Sequence, residues 1–211
     1  DSSLLYVANT GGESIMSIDL DSLSVIGSIT FPPVPRNGQQ TPVNVASMAT
    51  TLSGLQFVMT NGSVWRSLGS EAIPRSAATA SLLPANGIVG FPRAMVSTPG
   101  GEYAMLLAGN IPGIAYLFDA TTDNYTTARN VFVSALGRSS FTAPLGAAAR
   151  GEYFLAGGLI LGPSLTPLGG VERPGATQFL PNPVPGQPPI QTTVSIGQRN
   201  VFAVSALDSN R

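Results

Sequence analysis

The stretch Arg93–Phe132 reads RAMVSTPGGEYAMLLAGNIPGIAYLFDATTDNYTTARNVF. Two apolar runs, Tyr103–Ala108 and Ile114–Phe118, flank a turn that contains Gly and Pro. A Thr-Pro-Gly-Gly turn precedes them at Thr98–Gly101, and an Asp-rich turn follows them at Asp119–Asn124. Short apolar runs bounded by such turn residues are typical of β-strands. The stretch therefore predicts four strands in about forty residues.

The same order of strands and turns recurs along the whole chain. Each cycle has one aromatic residue in its second strand, and successive aromatic residues are 46 to 51 residues apart. These aromatic residues are Tyr6, Phe57, Tyr103, Tyr153 and Phe202. A period near fifty residues built from short strands is typical of a β-propeller, in which small sheets called blades stand around an axis. The predicted repeats cover approximately residues 4–31 in part, 45–83, 94–132, 146–180 and 192–207 in part.

We therefore predict an all-β fold, a β-propeller with four-stranded antiparallel blades, as one segment over residues 1–211. A β-sandwich is the alternative, because its strands are also short and evenly spaced. With the repeats aligned on these aromatic residues, the chain is expected to start at the second strand of one blade and to stop at the second strand of another. We expect an incomplete part of a six- or seven-bladed ring. A four-bladed ring that borrows Thr192–Ile196 to complete its first blade is the other possibility.

Two local expectations accompany this reading. The Pro-rich connection Pro32–Pro42 is expected to lie outside any sheet, because proline cannot donate a ladder hydrogen bond. The fourth strand of the second repeat is expected near Ala78–Leu83.

Composition excludes several classes of function. The chain contains no His and no Cys, which removes Ser-His and Cys-His catalytic pairs as well as disulfides and thiolate ligands. Its formal net charge is −1, and the ten basic residues, all arginine, form no stripe that would follow a phosphate backbone, so nucleic acid is not an expected partner. No apolar run approaches the roughly eighteen residues of a membrane span. We predict no cofactor and no catalytic residues.

Carboxylates concentrate in turns. Asp19, Asp21, Asp119 and Asp123 have oxygens that Ca²⁺ accepts as ligands. Aspartate is favoured at turns in any case, because its side chain bonds its own backbone. We therefore interpret these residues as turn residues and predict no metal site.

The arginines give a candidate binding site. Arg36, Arg93 and Arg138 each lie in, or at the end of, a connection between successive blades. Such connections gather on one face of the disc around the mouth of the channel. Three converging arginines would bind a carboxylate, sulfate or sugar acid through forked hydrogen bonds. The alternative is that each is a solvated loop residue.

Three segments resemble a known family. The segments Leu5–Thr10 (LYVANT), Ser17–Asp21 (SIDLD) and Ser97–Tyr103 (STPGGEY) resemble the YVTN-type β-propeller repeats of bacterial and archaeal surface proteins. The resemblance implies a secreted, cell-surface or periplasmic protein with a binding or structural role. We accordingly expect a non-catalytic propeller segment that acts as a rigid scaffold for a protein or glycan. Contacts with the remaining blades of a longer parent chain are also expected.

Two other functions stay open. The first is a propeller enzyme of the lactonase or quinoprotein type, with its active site in blades outside this sequence. The second is a structural component of a surface layer or filament, which low charge and abundant Gly, Pro, Ser and Thr suggest. Fold alone does not choose among them.

Overall fold

The computed structural model describes residues 3–8, 14–31, 34–36, 39–41, 43–75, 82–90, 93–109, 113–132, 145–156, 159–170, 190–195 and 202–206. Within these ranges all regular structure is β-strand, which confirms the predicted all-β class. No helix long and apolar enough to cross a membrane occurs there.

The strands form successive antiparallel sheets. The first sheet has three strands, β1 (Leu4–Ala8), β2 (Ser14–Asp19) and β3 (Ser24–Thr30). After a separate hairpin of β4 (Val34–Arg36) and β5 (Gln39–Thr41), the second sheet contains β6 (Val45–Thr51), β7 (Gly54–Met59), β8 (Val64–Leu68) and β9 (Glu71–Pro74). A single parallel pair, Thr30 with Glu71, joins the first sheet to the second.

Two further four-stranded sheets and a two-stranded sheet follow. The third sheet contains β10 (Arg93–Ser97), β11 (Tyr103–Ala108), β12 (Gly113–Asp119) and β13 (Asn124–Phe132). The fourth contains β14 (Leu145–Ala147), β15 (Phe154–Ala156), β16 (Leu159–Leu161) and β17 (Pro167–Gly170). The fifth consists of β18 (Ile190–Ser195) and β19 (Phe202–Ala206).

The sheets stand side by side around an inner row of strands. Strand β6 lies beside β10, β10 beside β14, and β14 beside β18, so in the second to fifth sheets the first strand is the innermost one. Three apolar clusters fill the spaces between the first and second, second and third, and third and fourth sheets. This radial arrangement is that of a β-propeller and not of two sheets stacked face to face.

Strand β11 is apolar at every position because each of its two faces packs against a different neighbouring sheet. Tyr103, Met105 and Leu107 belong to the cluster shared with the fourth sheet. Ala104, Leu106 and Ala108 alternate with them and belong to the cluster shared with the second sheet. A strand that is buried on both faces needs no polar side, so period-two alternation of polarity disappears.

Two expectations about where strands lie need correction. The connection at residues 32–42 contains the β4–β5 hairpin, in which Pro35 is tolerated opposite Gln40 because a two-stranded hairpin has only edge strands. The fourth strand of the second sheet is β9 (Glu71–Pro74), since a tight turn with Gly69 at φ 61° returns the chain at once. Of the segment where that strand was expected, residues 78–81 lie outside the described residues.

The aromatic alignment gives the right strands but the wrong register. Leu4 pairs with Asp19 as Tyr103 pairs with Asp119, so Leu4 and not Tyr6 is the counterpart of Tyr103. Phe57 packs towards the first sheet, whereas Tyr103 packs towards the fourth. The physical reason is that each apolar position can face either neighbour, which an aromatic residue alone does not distinguish.

Neighbouring sheets also interlock through their first turns. The backbone N–H of Leu52 donates to the carbonyl of Gly101 at 2.9 Å. Gly101 has φ +76°, and a Cβ atom there would lie 3.0 Å from the Leu52 nitrogen and 3.1 Å from two Thr51 backbone atoms. Backbone atoms cannot swing aside as a flexible side chain can. Glycine at position 101 is therefore required for the two turns to touch.

We predict that Gly101→Ala lowers the free energy of unfolding by about 2 kcal/mol or more, because the left-handed conformation alone costs an L-residue roughly 1–2 kcal/mol. Urea unfolding followed by circular dichroism measures this. Gly27→Ala is the matched control, since a Cβ there meets nothing within 4 Å. Equal midpoints for the two variants would contradict the interlock.

Candidate functional site: a cleft between the third and fourth sheets

One edge of the propeller carries the tight turns within the sheets. Because consecutive strands are antiparallel, the turns after the first and third strands of every sheet lie at the same edge. In the third and fourth sheets these turns are residues 98–102, 120–123, 148–153 and 162–166. The last strand of the third sheet ends, and the first strand of the fourth sheet begins, at the opposite edge.

A cleft of about 560 Å³ opens at the turn edge, between the third and fourth sheets. Its lining comes from the start of β11, from β12, from the first and last turns of the fourth sheet, and from β17. The lining residues are Tyr103, Leu117, Arg150, Gly151, Glu152, Tyr153, Pro163 and Leu168. Ligand clefts in proteins typically measure about 300–1,000 Å³ and combine apolar walls with a few polar groups. The size and lining of this cleft match that description.

The floor of the cleft is fixed by contact between the two sheets. Gly151, at φ +72°, lies so close to the Tyr103 ring that a Cβ atom at position 151 would be 2.8 Å from Cδ2 of that ring. Leu117 beside it is buried. By contrast, Tyr153 is 38% exposed and Leu168 is 59% exposed, so both remain available at the rim.

The two charged residues of the cleft differ in whether their side chains are already engaged in the structure. The Glu152 carboxylate accepts a hydrogen bond from the backbone N–H of Arg150 at 3.0 Å. This carboxylate is therefore engaged within its own turn. Glu102 plays a similar part in the preceding sheet, where it accepts from the Thr98 hydroxyl at 3.1 Å. Among the described residues no ion pair engages the Arg150 side chain. The rim therefore presents one cation beside aromatic and aliphatic surface.

A charged network occupies the interface between the second and third sheets. The Asp123 carboxylate accepts from Nη1 of Arg66 at 2.5 Å and from Nη2 of Arg75 at 2.6 Å. Nη1 of Arg75 also donates to the Asp123 carbonyl at 2.7 Å, and its Nε donates to Oε1 of Gln56 at 2.9 Å. The Arg75 guanidinium lies 4.7 Å from the centroid of the Phe118 ring. Arg75 thereby joins both sheets through hydrogen bonds and a cation–π contact.

Two buried atoms next to this network have no partner. Nε2 of Gln56 and the hydroxyl of Tyr125 are enclosed, and neither forms a hydrogen bond with the described residues. Burial raises the pKa of Tyr125 above its ordinary value, and the positive charge of Arg75 opposes this rise. The phenol is consequently held neutral in the folded protein.

The other turn aspartates serve their own turns. Asp19 accepts from the backbone N–H groups of Asp21 and Ser22 and from the Ser22 hydroxyl, and these hydrogen bonds, that of the Ser22 backbone first, lower the pKa of Asp19. Asp119 accepts from the backbone and hydroxyl of Thr121 in the same way. Within the described part of the chain, no three His, Cys, Asp or Glu residues come together as metal ligands would.

The predicted arginine site stays a prediction. Arg36 is the last residue of β4 and Arg93 is the first residue of β10, but their side chains, and all of Arg138, lie outside what the structure describes. Sequence reasoning missed the residues of the cleft. A signal for it exists, because Gly-Glu-Tyr occurs at both 101–103 and 151–153. No comparable signal marks the pairing of Asp123 with Arg66 and Arg75.

Comparison with known proteins supports the fold. No family model matches the sequence and no curated protein matches it, so the likeness to YVTN-type repeats remains a resemblance. Solved structures do match. The β-propeller domain of Myceliophteria thermophila Cps50 (Swd1) is 15% identical with a TM-score of 0.60, over 99% of this chain and 64% of that chain.

Two further structures are similar. A chain of the mitotic checkpoint complex is 11% identical with a TM-score of 0.58, over 98% of this chain and 55% of that one. Kuenenia stuttgartiensis hydrazine synthase is 14% identical with a TM-score of 0.50, over 74% of this chain and 39% of that one. The chain thus spans between about two fifths and two thirds of the proteins that it matches. At such identities the likeness concerns the fold alone, and it identifies this chain as a β-propeller.

We predict that Arg75→Met costs more stability than Arg66→Met. The Arg75 side chain is 11% exposed and makes three hydrogen bonds, so its loss should cost about 2–3 kcal/mol. The Arg66 side chain is 31% exposed with one bond to Asp123, so its loss should cost less than about 1 kcal/mol. Urea unfolding at low and high salt measures both. Equal losses would contradict the central position of Arg75.

We predict that Tyr125→Phe leaves stability at pH 7 unchanged or raises it by up to about 1 kcal/mol, because the deleted hydroxyl is buried with no hydrogen-bond partner among the described residues. The pKa of Tyr125 is raised in the folded state, so wild-type stability falls as pH rises above about 10, the ordinary pKa of tyrosine, where the unfolded chain loses its proton first. The variant should lose stability less steeply there. Equally steep losses in unfolding titrations at pH 9–11 would refute this.

Proposed function

We propose that this chain is a non-catalytic β-propeller scaffold that binds an extended segment of another protein in the cleft between its third and fourth sheets. The single observation that carries the proposal is the cleft itself: an amphipathic rim of Arg150, Tyr153 and Leu168 stands over a floor that Gly151 and Tyr103 fix. Tyrosine supplies large contact area at a small cost in conformational entropy. A preformed cleft also avoids the ordering cost that a mobile site incurs on binding.

The setting of the scaffold is part of the same proposal. The YVTN-like segments support an extracytoplasmic location, at the cell surface, in the periplasm or secreted. The structural neighbours include a propeller domain and a chain from a multiprotein complex, which favours a protein over a glycan as the partner. The predicted anion site of Arg36, Arg93 and Arg138 would be a second, separate binding surface.

We predict that peptides selected on the immobilised chain from a random display library bind through the cleft. Leu168→Ala should raise the Kd of a selected peptide about tenfold or more, which corresponds to roughly 1.4 kcal/mol. Leu52→Ala is the matched control, because Leu52 is also an exposed leucine, at 69%, but lies outside the cleft. Fluorescence anisotropy measures both.

Equal affinities of the two variants would place binding elsewhere and contradict the proposal. So would a glycan array on which the chain retains a sugar that Tyr153→Ala abolishes, while no peptide is enriched. Thermal unfolding of each variant separates a lost contact from a lost fold.

A further inference from the structure

The side chains of the cleft between the third and fourth sheets offer hydrogen-bond donors that have no acceptor. Tyr103 and Tyr153 bring hydroxyl groups to the lining, and Arg150 brings a guanidinium. Within the described ranges, neither hydroxyl forms a hydrogen bond and no ion pair holds the guanidinium. A guanidinium can only donate, and a phenol hydroxyl can donate as well as accept. A ligand that supplies acceptors would therefore match these groups.

The acceptors of the cleft are largely in use. Oε2 of Glu152 accepts from the backbone N–H of Arg150 at 3.0 Å, which leaves Oε1 as the free oxygen of this carboxylate. The carbonyl groups of Tyr103 and Tyr153 accept backbone N–H groups of their own turns, both at 2.9 Å. A ligand rich in N–H groups would find few partners here, and each donor buried without an acceptor would cost binding free energy.

The backbone donors of the cleft are engaged as well. The N–H of Tyr103 donates to Oγ1 of Thr98 at 3.2 Å, and the N–H of Gly151 donates to the carbonyl of Ala148 at 3.1 Å. The N–H of Arg150 donates to the carboxylate named above. A strand that adds to a sheet needs an edge with free N–H and C=O groups in alternation. These turns do not provide such an edge.

Strand β17 borders the cleft and is also unsuited to strand addition. Among the described strands it pairs with β16 alone, so its other edge is open. It begins with Pro167, which has no backbone N–H, and its pairing with β16 skips Leu168. Prolines and bulges are two of the devices by which edge strands avoid further pairing. A segment that binds in the cleft is therefore held by side chains and not by a backbone ladder.

The two regular conformations other than a strand differ in what they offer to these donors. A helix uses its carbonyl groups in its own hydrogen bonds, so Tyr103 and Arg150 would lose water without gaining backbone acceptors. A polyproline II segment has no internal hydrogen bonds, so its carbonyl groups are free. Each proline in it also removes one N–H group. A proline-rich segment thus supplies acceptors, few donors, and pyrrolidine rings that pack on aromatic and aliphatic side chains.

On the basis of the function proposed above, we propose that the cleft binds a proline-rich segment of a partner protein in the polyproline II conformation. Tyr103 and Leu168 receive its pyrrolidine rings, and a carboxylate of the segment pairs with the exposed Arg150. Arginine and carboxylate form a forked, charge-assisted pair. Gly151 packs directly against the Tyr103 ring, so the surface that the prolines meet is formed before they bind.

The test measures the binding of three fluorescent peptides of about ten residues by fluorescence anisotropy. The first consists of prolines with one central glutamate, and the second has glutamine in place of the glutamate. The third keeps the glutamate but replaces the prolines by glycine and serine. The first peptide should bind most tightly. The Kd should rise about threefold or more for the second, which lacks the charge, and about tenfold or more for the third, which is not preorganised.

Three variants locate the contacts. With Arg150→Gln, the first and second peptides should bind equally, because the charge that distinguishes them has lost its partner. Tyr103→Phe should raise the Kd of both about threefold, because it keeps the ring and removes one donor. Tyr6→Phe is the matched control, since Tyr6 lies in the first sheet and does not line the cleft. Thermal unfolding checks that each variant keeps its fold.

The outcomes separate this inference from the proposed function. A peptide without proline that binds as tightly as the first, and that Leu168→Ala weakens, would overturn the inference and leave the cleft as a binding site. A proline-rich peptide whose Kd is the same for wild type and Leu168→Ala would contradict both, because it binds elsewhere. A preference for glutamate that persists in Arg150→Gln would refute the ion pair.

Discussion

Burial of both faces of every small sheet is the constraint on which this structure depends. A strand such as β11 has no polar side, so a sheet built from such strands cannot shield itself and must have a neighbour on each side. The three apolar clusters lie between sheets and not inside any one of them. Stability is therefore shared between neighbours, much as in other repeat architectures. A sheet at the end of such a row is left with one apolar face uncovered.

Apolar burial alone does not fix how two neighbouring sheets are placed. Flat apolar faces could slide past each other, whereas the contact of Gly101 with the Thr51–Leu52 backbone permits one position. The bonds from Arg75 to Asp123 and Gln56 add directional restraint between the second and third sheets. Hydrogen bonds and close backbone contacts thus determine the geometry, while the hydrophobic effect supplies most of the free energy.

The sequence predicted where the strands lie better than it predicted which neighbouring sheet each side chain packs against. Turn residues and the apolar run Tyr103–Ala108 locate β11 to the residue, because turn chemistry is local. The register was wrong at Tyr6 and Phe57, because either neighbour can bury an aromatic side chain. Among functional residues, the cleft had a local trace in the two Gly-Glu-Tyr segments. The pairing of Asp123 with an arginine 48 residues away had none, since it arises only when two sheets meet.

The cleft and the charged network lie at equivalent positions of two different interfaces between neighbouring sheets. Gln56 and Tyr103 each follow a positive-φ glycine by two residues, and both face the next sheet. Beside Gln56, the Arg75 guanidinium and the Asp123 carboxylate fill the space between sheets. Beside Tyr103, the next sheet offers Gly151 and a turn whose strained residue, Leu165, is buried in the apolar core. Arg129 crosses this gap by donating from Nε to the carbonyl of Ser164 at 3.2 Å, and the space above the Tyr103 ring stays open as the cleft. Which side chains occupy this position therefore decides whether an interface is locked or forms a binding surface.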